Sequence, residues 1–341
     1  MLDIRSFNYY ELEKYILSKG LPKFRVSQIY SWLHKGIRDF EEMTNIPKLM
    51  RETLAEECVL NNAEPVRVQV SKADGTRKYL FKFSDGNCVE SVFMKYNHGN
   101  TVCISTQVGC RMGCVFCAST KKGLVRNLLP SEMLAELFAI IRDTGEKISN
   151  IVLMGTGEPL DNYDNVIKFL HLVNDERGLN IGMRHISLST CGLCEKIEKL
   201  AEENLPITLS VSLHAPTDEA RNAIMPVNRA YGVERLIGEC KAYFQKTSRR
   251  ISFEYTMISG KTDGLSQARE LARLLSGFPC HINLIPLNKI KEGELEPSSP
   301  EQIKSFSSYL EGKGITVTVR RSLGSDIDAA CGQLRQDYIT E

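Results

Sequence analysis

Three cysteines stand close together in the segment Cys110-Arg111-Met112-Gly113-Cys114-Val115-Phe116-Cys117. Thiolates at this spacing can wrap one metal centre. A fully ligated iron–sulfur cube takes four cysteines, so three would leave one iron open to a substrate's amine and carboxylate. Zinc is the alternative, but it usually takes four closed ligands in paired CxxC or Cys/His units, which this spacing fits poorly. The motif therefore favours a 4Fe-4S cluster held by Cys110, Cys114 and Cys117.

Other candidate residues follow strand-like segments further along the chain. Gly155-Thr156-Gly157-Glu158 comes directly after the apolar segment Ile151–Met154, and Ser189 ends the next one. Glycines there let the backbone approach a ligand, and Glu158 can pair with an ammonium group. His214, taken alone, is more typical of a satisfied core histidine. Because strand ends of one parallel barrel converge, we expect these residues to meet the cysteine loop.

The elements that would position these residues alternate between strand and helix from Thr101 onward. Parallel strands need crossovers, and helices of this length supply them. We therefore predict a β/α barrel, complete or partial, over residues 101–320. The predicted strands are Ile151–Met154, His185–Ser189, Ile207–Leu213, Ile251–Met257, His281–Pro286 and Ile315–Val319, and the predicted helices are Met133–Arg142, Asn165–Leu172, Glu195–Glu203, Val233–Phe244, Ser266–Leu275 and Glu301–Glu311.

The first hundred residues predict two further units. Residues 1–60 have helical spacing in three segments, at 9–17, 26–33 and 49–60, and form a predicted helical domain. Residues 61–100 contain three alternating strands, at 66–70, 78–83 and 89–96, with an Asp-Gly-Asn turn between the last two, which indicates a β-hairpin extension. Residues 321–341 form a predicted C-terminal loop and tail.

A basic segment lies within the predicted helical domain. It has six basic residues and no acidic one between Lys14 and Arg38, with Phe24, Tyr30 and Trp32 among them. Such a segment can follow nucleic-acid phosphates and stack bases. It can equally be a solvated helix face whose aromatic rings belong to the core, and the segment alone favours that second interpretation.

The composition excludes several classes of protein. The chain has 341 residues with 43 Lys+Arg against 42 Asp+Glu, 42% hydrophobic residues and a net charge of +1. This is ordinary for a globular protein and argues against both disorder and a uniformly basic surface. The sequence contains no run of ~18 apolar residues, so it predicts no membrane span, and its start does not resemble a secretory signal. We therefore expect a cytoplasmic protein. Eleven cysteines in such a chain favour metal or redox chemistry.

Several motifs in order resemble the RlmN family, which belongs to the radical S-adenosylmethionine (SAM) enzymes and methylates C2 of adenine in RNA. The resemblance runs from residue 90 to the C-terminus, and the N-terminal helices match more loosely. The matching stretches are Cys103-Ile104-Ser105-Thr106-Gln107-Val108-Gly109-Cys110, Cys117-Ala118-Ser119-Thr120, Met154-Gly155-Thr156-Gly157-Glu158-Pro159-Leu160, Ser212-Leu213-His214-Ala215-Pro216 and Asp326-Ile327-Asp328-Ala329-Ala330-Cys331-Gly332-Gln333-Leu334.

The resemblance implies a partial (β/α) barrel of the radical SAM type and a SAM site at the strand ends. It also implies two SAM molecules per turnover, one of them on the open iron of the 4Fe-4S cluster. The residues implied to line the SAM site are Gly157, Glu158, Ser189, Ser212, Leu213, His214 and Asn288. The pair Cys191 and Cys194 has no role that the resemblance implies.

The family's chemistry, carried over by resemblance, assigns three catalytic residues. The first SAM methylates Cys331, and a 5′-deoxyadenosyl radical from the second removes hydrogen from that methyl group, which then adds to C2. Cys103 attacks the sulfur and frees the base by forming a disulfide with Cys331. Glu90 is the implied base for the C2 proton. Two other interpretations stay open: Cys331 as an inert thiol, and Glu90 as a cross-strand partner of Lys78.

The resemblance also implies substrates and partners. These are 23S rRNA, modified before the ribosome is fully assembled, and tRNA at the purine 3′ of the anticodon. A flavodoxin-like reductant, a monomeric state and RNA docking by residues 1–60 are further expectations. Two alternatives remain, a related adenine C8 methyltransferase and a non-catalytic zinc RNA-binding protein. Pro159 and Ser119 resemble the C2 branch.

Overall fold

A computed structural model describes residues 1–287, 295–321, 323–324 and 326–327. Two predicted site residues, Asn288 and Cys331, lie outside these ranges. The helices are α1 (Tyr9–Ser18), α2 (Phe24–His34), α3 (Lys48–Glu57), α4 (Pro130–Thr144), α5 (Tyr163–Asn174), α6 (Cys194–Glu202), α7 (Asp218–Ile224), α8 (Val233–Thr247), α9 (Leu265–Leu274) and α10 (Pro300–Gly312). The strands are β1 (Leu2–Asp3), β2 (Cys58–Val59), β3 (Glu64–Val70), β4 (Arg77–Lys82), β5 (Cys88–Met94), β6 (Thr101–Cys103), β7 (Gln107–Gly109), β8 (Leu124–Asn127), β9 (Asn150–Leu153), β10 (Ile186–Thr190), β11 (Thr208–Ser212), β12 (Ile251–Met257), β13 (Cys280–Pro286) and β14 (Thr316–Val319).

Ten strands form one sheet in the order β14-β13-β12-β11-β10-β9-β6-β5-β4-β3. The part from β6 to β14 is parallel, and β5, β4 and β3 continue it as antiparallel neighbours. Helices connect the parallel strands, as the alternation of strand and helix in the sequence predicts. The strand order begins at β14 and ends at β3, so the sheet is open and does not close into a full barrel. The predicted partial (β/α) barrel is therefore confirmed.

Each parallel strand has one apolar face and one polar face. In β10, Ile186 and Leu188 lie in the hydrophobic core, whereas Ser187 and Ser189 are half-buried on the opposite face. Since side chains alternate along a strand, this pattern puts leucine and isoleucine under the outer helices and hydroxyl groups in the barrel lumen. The lumen is therefore polar before any ligand is considered.

The helical domain has its own core and is fixed to the outer helices of the barrel. The Asp3 carboxylate accepts hydrogen bonds from Ser6 Oγ at 2.5 Å and from Ser131 Oγ, at the start of α4, at 2.7 Å. Tyr30 Oη donates to Asp175, just after α5, at 3.1 Å. These contacts join side chains about 125 to 145 positions apart in the chain, and they hold the domain in a defined place on the barrel.

The structure differs from the sequence prediction at three points. The third helix ends at Glu57, because the next two residues form β2, which pairs with β1. A two-stranded sheet of β7 and β8 and the seven-residue helix α7 were not predicted. Both are too short to show a clear hydrophobic period. The extension is continuous with the barrel sheet, since β5 pairs with β6.

Acidic residues outside the basic segment neutralise part of its charge. Lys19 pairs with Glu57 at 2.6 Å, Lys23 with Glu13 at 2.5 Å, and Arg38 with Glu64. Tyr30 is buried in the core of the domain, whereas Phe24 is 57% exposed. The ring of Tyr30 thus belongs to the core and that of Phe24 does not, and the role of the segment in RNA docking stays a prediction. Within the described residues, no helix has the length and apolar character needed to cross a membrane.

Candidate functional site

The cysteine loop lies between β7 and β8, just past the carboxyl end of β6. Gly109 has φ +78°, and a Cβ on it would lie 2.0 Å from the carbonyl oxygen of Gly123, so only glycine fits. The Cys110 amide donates to that same oxygen at 3.0 Å. The unpredicted β7–β8 pair therefore fixes the position at which the motif begins.

The three thiols form a partly buried group. Cys110 is buried, and Cys114 and Cys117 are half-buried. Burial raises the pKa of Cys110 to about 12, and the nearby Glu158 and Cys117 add to that rise. Neutral thiols suit this environment without a metal, and binding one must release their protons.

The chemistry of the donors fits an iron–sulfur cluster. Three thiols stand on one loop, and thiolates are the ligands that such clusters take. A structural zinc site takes four ligands, whereas this motif supplies three.

Glu158 lies beside the cysteine loop and is 3% exposed. Its Oε1 accepts a hydrogen bond from the Leu160 amide at 3.0 Å, and its Oε2 accepts one from the Cys191 amide at 2.7 Å. Burial raises the pKa of Glu158, and these two donors oppose the rise. The carboxylate thus joins the loops after β9 and β10, and the side chains of Thr190 and Cys191 also hydrogen-bond to it.

Gln107 supports Glu158 from the β7 side and was missed by sequence reasoning. Its Oε1 accepts a hydrogen bond from the Glu158 amide at 2.8 Å. Gly157 has φ +115°, and a Cβ there would lie 2.7 Å from the Gln107 Cβ. The Gly-Glu pair therefore needs its glycine for close packing against Gln107. The sequence signal that could have marked Gln107 is its place in the stretch Cys103–Cys110, which resembles the RlmN family.

Ser189 and Ser212 both face the lumen. Ser189 pairs in register with Ser210, and Ser210 pairs with Ser252. Ser212, two residues on, therefore has the same orientation and pairs with Glu254. Leu213, in contrast, is fully buried, and its amide donates to the Glu254 carbonyl oxygen at 3.1 Å.

His214 has φ +57° and is 4% exposed. The Thr256 amide donates to its Nδ1 at 3.0 Å, so the neutral ring carries its proton on Nε2. Burial lowers the pKa of His214 to about 3, and the positive charge of Arg221 adds to this. The ring packs edge-on to Phe116 of the cysteine loop, with centroids 4.7 Å apart. This histidine is therefore a neutral hydrogen-bond donor next to the loop.

Arg221 is the second residue that sequence reasoning missed. It is wholly buried on α7, and it donates to the carbonyl oxygens of Cys191 at 2.7 Å, Ser212 at 3.0 Å and Leu213 at 3.0 Å. Its Nη1 also donates to Asn228 Oδ1 at 2.9 Å. One guanidinium thus holds the ends of β10 and β11 together.

Glu90 and Cys103 lie on the opposite wall of the lumen. Val92 of β5 pairs with Cys103 of β6, so Glu90, two residues before Val92, is the diagonal neighbour of Cys103 on the same face. Lys78 of β4 pairs with Glu90 at 3.1 Å, and both are buried. The cross-strand partner that the sequence left open is therefore present, next to the predicted catalytic thiol.

A cavity of about 630 Å³ opens among the amino-terminal halves of the parallel strands, and Glu90, Cys103, Glu158, Ser189, Ser212 and His214 are not among its lining residues. Met154, Ser187, Ser210 and Glu254 line it, and three arginines stand around it, namely Arg249, Arg250 and Arg320. Asn283 donates to the Glu254 carboxylate at 2.8 Å. The cavity is polar and has positive charge at its rim.

Two families of known proteins match this chain. The radical SAM superfamily matches residues 104–275, which contain the cysteine loop and the strand ends that surround it. The ribosomal RNA large subunit methyltransferase N-terminal domain matches residues 2–60. Fold, cysteine motif and match together make this chain a radical SAM protein.

Comparison with individual relatives shows to which family of radical SAM proteins the chain belongs. A probable dual-specificity RNA methyltransferase RlmN from Lachnospira eligens is 53% identical, covering 100% of this chain and 98% of the relative. One from Clostridium tetani is 52% identical over 99% of this chain and 97% of its own. A crystal structure of a radical SAM methyltransferase from Sphaerobacter thermophilus superposes with a TM-score of 0.94 at 42% identity, covering 98% and 99% of the two chains. The chain belongs to the RlmN family.

The buried pair of Lys78 and Glu90 gives a prediction about stability. Replacing Lys78 with Met leaves the Glu90 charge buried without this partner and should lower the free energy of unfolding by about 3–5 kcal/mol. The double variant Lys78→Met/Glu90→Gln should recover much of that loss. Urea denaturation followed by circular dichroism measures both. Equal losses in the single and double variants would contradict the ion pair.

Proposed function

We propose that this chain transfers a methyl group to C2 of an adenine in 23S rRNA and in tRNA, as a radical SAM methyltransferase. The observation that carries the proposal is the arrangement of the lumen. Glu90 and Cys103 share one wall, and the cysteine loop with Glu158, Ser189, Ser212 and His214 surrounds the strand ends. A base placed between these two groups of residues would have an acid–base group and a thiol on one side and a cofactor site on the other.

Cys110, Cys114 and Cys117 would hold the 4Fe-4S cluster, which with bound SAM supplies the one-electron chemistry that an unreactive ring carbon requires. Glu158 would pair with the ammonium of SAM, and the amides of Leu160 and Cys191 orient its carboxylate. Ser189 and Ser212 would offer hydroxyl groups from the lumen face, and His214 would donate from Nε2. Asn288, outside the described residues, is a predicted further ligand.

On the opposite wall, Cys103 and Glu90 would complete the reaction with Cys331, which is also outside the described residues. Cys331 would carry the methyl carbon from a first SAM, so that two SAM molecules are used per turnover. Cys103 would attack the Cys331 sulfur, forming an S–S bond as the S–C bond to the base breaks. Glu90 would take the proton that leaves C2, and Lys78 fixes the orientation of its carboxylate.

The substrate base must leave its stack to reach this lumen. Arg320, which directly follows β14, would contact a flanking phosphate, whereas Arg249 and Arg250 precede β12 and lie at the amino ends of the strands. Arg126 is paired with Asp85 at 2.5 Å and with Glu132 at 2.8 Å, so its charge is already neutralised. Lys35 and Arg25 lie over the rings of Trp32 and Phe24, and the helical domain would present these to RNA.

The rest of the proposal follows the family. It comprises a flavodoxin-like reductant, a monomer, a cytoplasmic location and action on 23S rRNA before the ribosome is fully assembled. Assembled ribosomes bury the rRNA that must be unstacked, so naked rRNA should be methylated much faster than intact ribosomes. Equal rates on the two would contradict that timing.

The position of the methyl group on the adenine ring tests the proposed function. Anaerobically purified protein, given SAM, a reductant and unmodified rRNA, should yield 2-methyladenosine on nucleoside mass spectrometry. An 8-methyladenosine product would establish the C8 alternative. A colourless, zinc-containing protein without about four irons per chain would favour the zinc alternative.

Replacing each of the two proposed catalytic cysteines should have a different effect on the reaction. Cys331→Ala should abolish methylation and leave the iron content unchanged, because it removes the methyl carrier. Cys103→Ala should trap RNA covalently on the protein, since the link to Cys331 could no longer be resolved. Gel electrophoresis of denatured protein with labelled RNA measures the adduct. Normal turnover by Cys103→Ala would refute its role.

Glu158→Gln should weaken SAM binding. The glutamine removes the negative charge and turns an NH2 group toward the amide of Leu160 or Cys191. We expect a Kd for SAM at least tenfold higher, about 1.4 kcal/mol, by anaerobic titration calorimetry on cluster-loaded protein. Asp164→Asn, whose side chain is 92% exposed, is the matched control and should bind SAM as the unaltered protein does.

A further inference from the structure

The turn between β3 and β4 is hydrogen-bonded to the segment that precedes Cys331. Ser71 Oγ donates to Asp326 Oδ1 at 2.6 Å, and the Lys72 amide donates to Asp326 Oδ2 at 2.8 Å. In the reverse direction, the Gly324 amide donates to Asp74 Oδ2 at 2.8 Å. Each segment therefore supplies a carboxylate that accepts hydrogen bonds from the other.

The turn keeps its shape through bonds of its own. The Ser71 amide donates to the Thr76 carbonyl oxygen at 2.8 Å, and Asp74 Oδ1 accepts from the Thr76 amide at 2.9 Å. Ser71 is 3% exposed, and its Oγ also accepts from the Ala73 amide at 3.2 Å. Within the described part of the C-terminal segment, the turn offers it the Ser71 hydroxyl proton, the Lys72 amide and one Asp74 oxygen. The turn is thus a preformed receptor.

The same segment also touches the catalytic wall of the lumen. Leu323 packs against the apolar cluster of Val92, Met94 and Cys103. Four positions separate Ile327 from Cys331, so their Cα atoms lie at most about 14 Å apart. The contacts of Leu323 and Asp326 therefore fix the chain a few residues before Cys331, and Leu323 contacts the cluster that contains Cys103.

We propose that Asp326, with Ser71, Lys72 and Asp74, forms a dock that holds the C-terminal segment so that the Cys331 thiol meets the Cys103 thiol. This inference rests on the proposed roles of those two cysteines. Asp326 and Ser71 touch neither substrate nor reacting atoms, so they are positioning residues. Holding the segment raises the effective concentration of one thiol at the other, whereas an unheld tail would spread Cys331 over a larger volume.

The first measurement tests whether the dock forms, and it does not require catalysis. In full-length, cluster-loaded Asp326→Asn, an NH2 group replaces one acceptor oxygen and faces a donor. Amide hydrogen exchange at Lys72 and Gly324 should then speed up at least tenfold, with no change in the core strands β9–β11. Asp85→Asn, in the turn between β4 and β5, is the matched control. Asp85 accepts from the Asn87 amide at 3.0 Å and pairs with Arg126, and neither lies in the C-terminal segment.

The second measurement tests how readily Cys103 and Cys331 form a disulfide with each other. Equilibration with reduced and oxidised glutathione, followed by peptide mapping, gives the effective concentration of Cys103 and Cys331 for each other. It should fall at least tenfold in Asp326→Asn and less in Ser71→Ala, which loses one hydrogen bond. The double variant should lose no more than Asp326→Asn, because both act on one contact. Asp85→Asn should match the unaltered protein.

The third measurement is kinetic. If Cys331 is poorly placed, kcat for RNA methylation should fall about tenfold in Asp326→Asn, with the KM for SAM unchanged and more deoxyadenosine released per methyl transferred. Unchanged exchange, unchanged thiol pairing or unchanged coupling in both Asp326→Asn and Ser71→Ala would overturn the dock. Absence of 2-methyladenosine with the unaltered protein contradicts the proposed function instead, and the exchange and glutathione measurements still decide whether the dock exists.

Discussion

The buried guanidinium of Arg221 holds the strand ends on which the cofactor side of the site depends. Three of its hydrogen bonds go to carbonyl oxygens at the ends of β10 and β11, and a buried hydrogen bond from a charged group contributes about 1.5–3 kcal/mol. Glu158 complements it by accepting amides from the loops after β9 and β10. One buried cation and one buried anion thus fix three successive strand ends through backbone contacts, which leaves the lumen-facing hydroxyl groups available for a ligand.

The antiparallel strands add functional side chains along one wall of the lumen. In the β/α units, functional groups stand at the carboxyl ends of strands, because the strands themselves are buried on their outer face. The β5–β6 pairing instead sets Glu90, on an antiparallel strand, as the diagonal neighbour of Cys103, which ends β6. The sheet therefore puts the proposed acid–base and thiol residues on one wall of the lumen and the cofactor residues at the ends of the other parallel strands.

The sequence predicted the elements that have a strong period or motif. The cysteine motif, the strand before Gly155 and the strand over Ile251–Met257 are found where the residue pattern places them. Arg221 and Gln107 were missed, because a buried arginine on a seven-residue helix and a glutamine in a three-residue strand act through partners far away in the chain. The partner of Glu90 was anticipated, since Lys78 lies on the neighbouring predicted strand. Short elements and long-range contacts carry no local period, so only the fold reveals them.

A tail that carries a methyl group has to meet several partners in turn, which sets opposing demands on how it is held. Under the proposed function, Cys331 first meets SAM, then the base, and finally Cys103. A tail buried in the core could not make these moves, and a free tail would make them slowly. Asp326 is exposed, and water screens its hydrogen bonds, so a contact there can form and release without disturbing the barrel. Leu323, half-buried against the cluster that contains Cys103, adds an apolar contact of the same reversible kind. A weak contact close to the reacting thiol therefore serves this chemistry better than a strong one, because the segment must be held and let go within a single turnover.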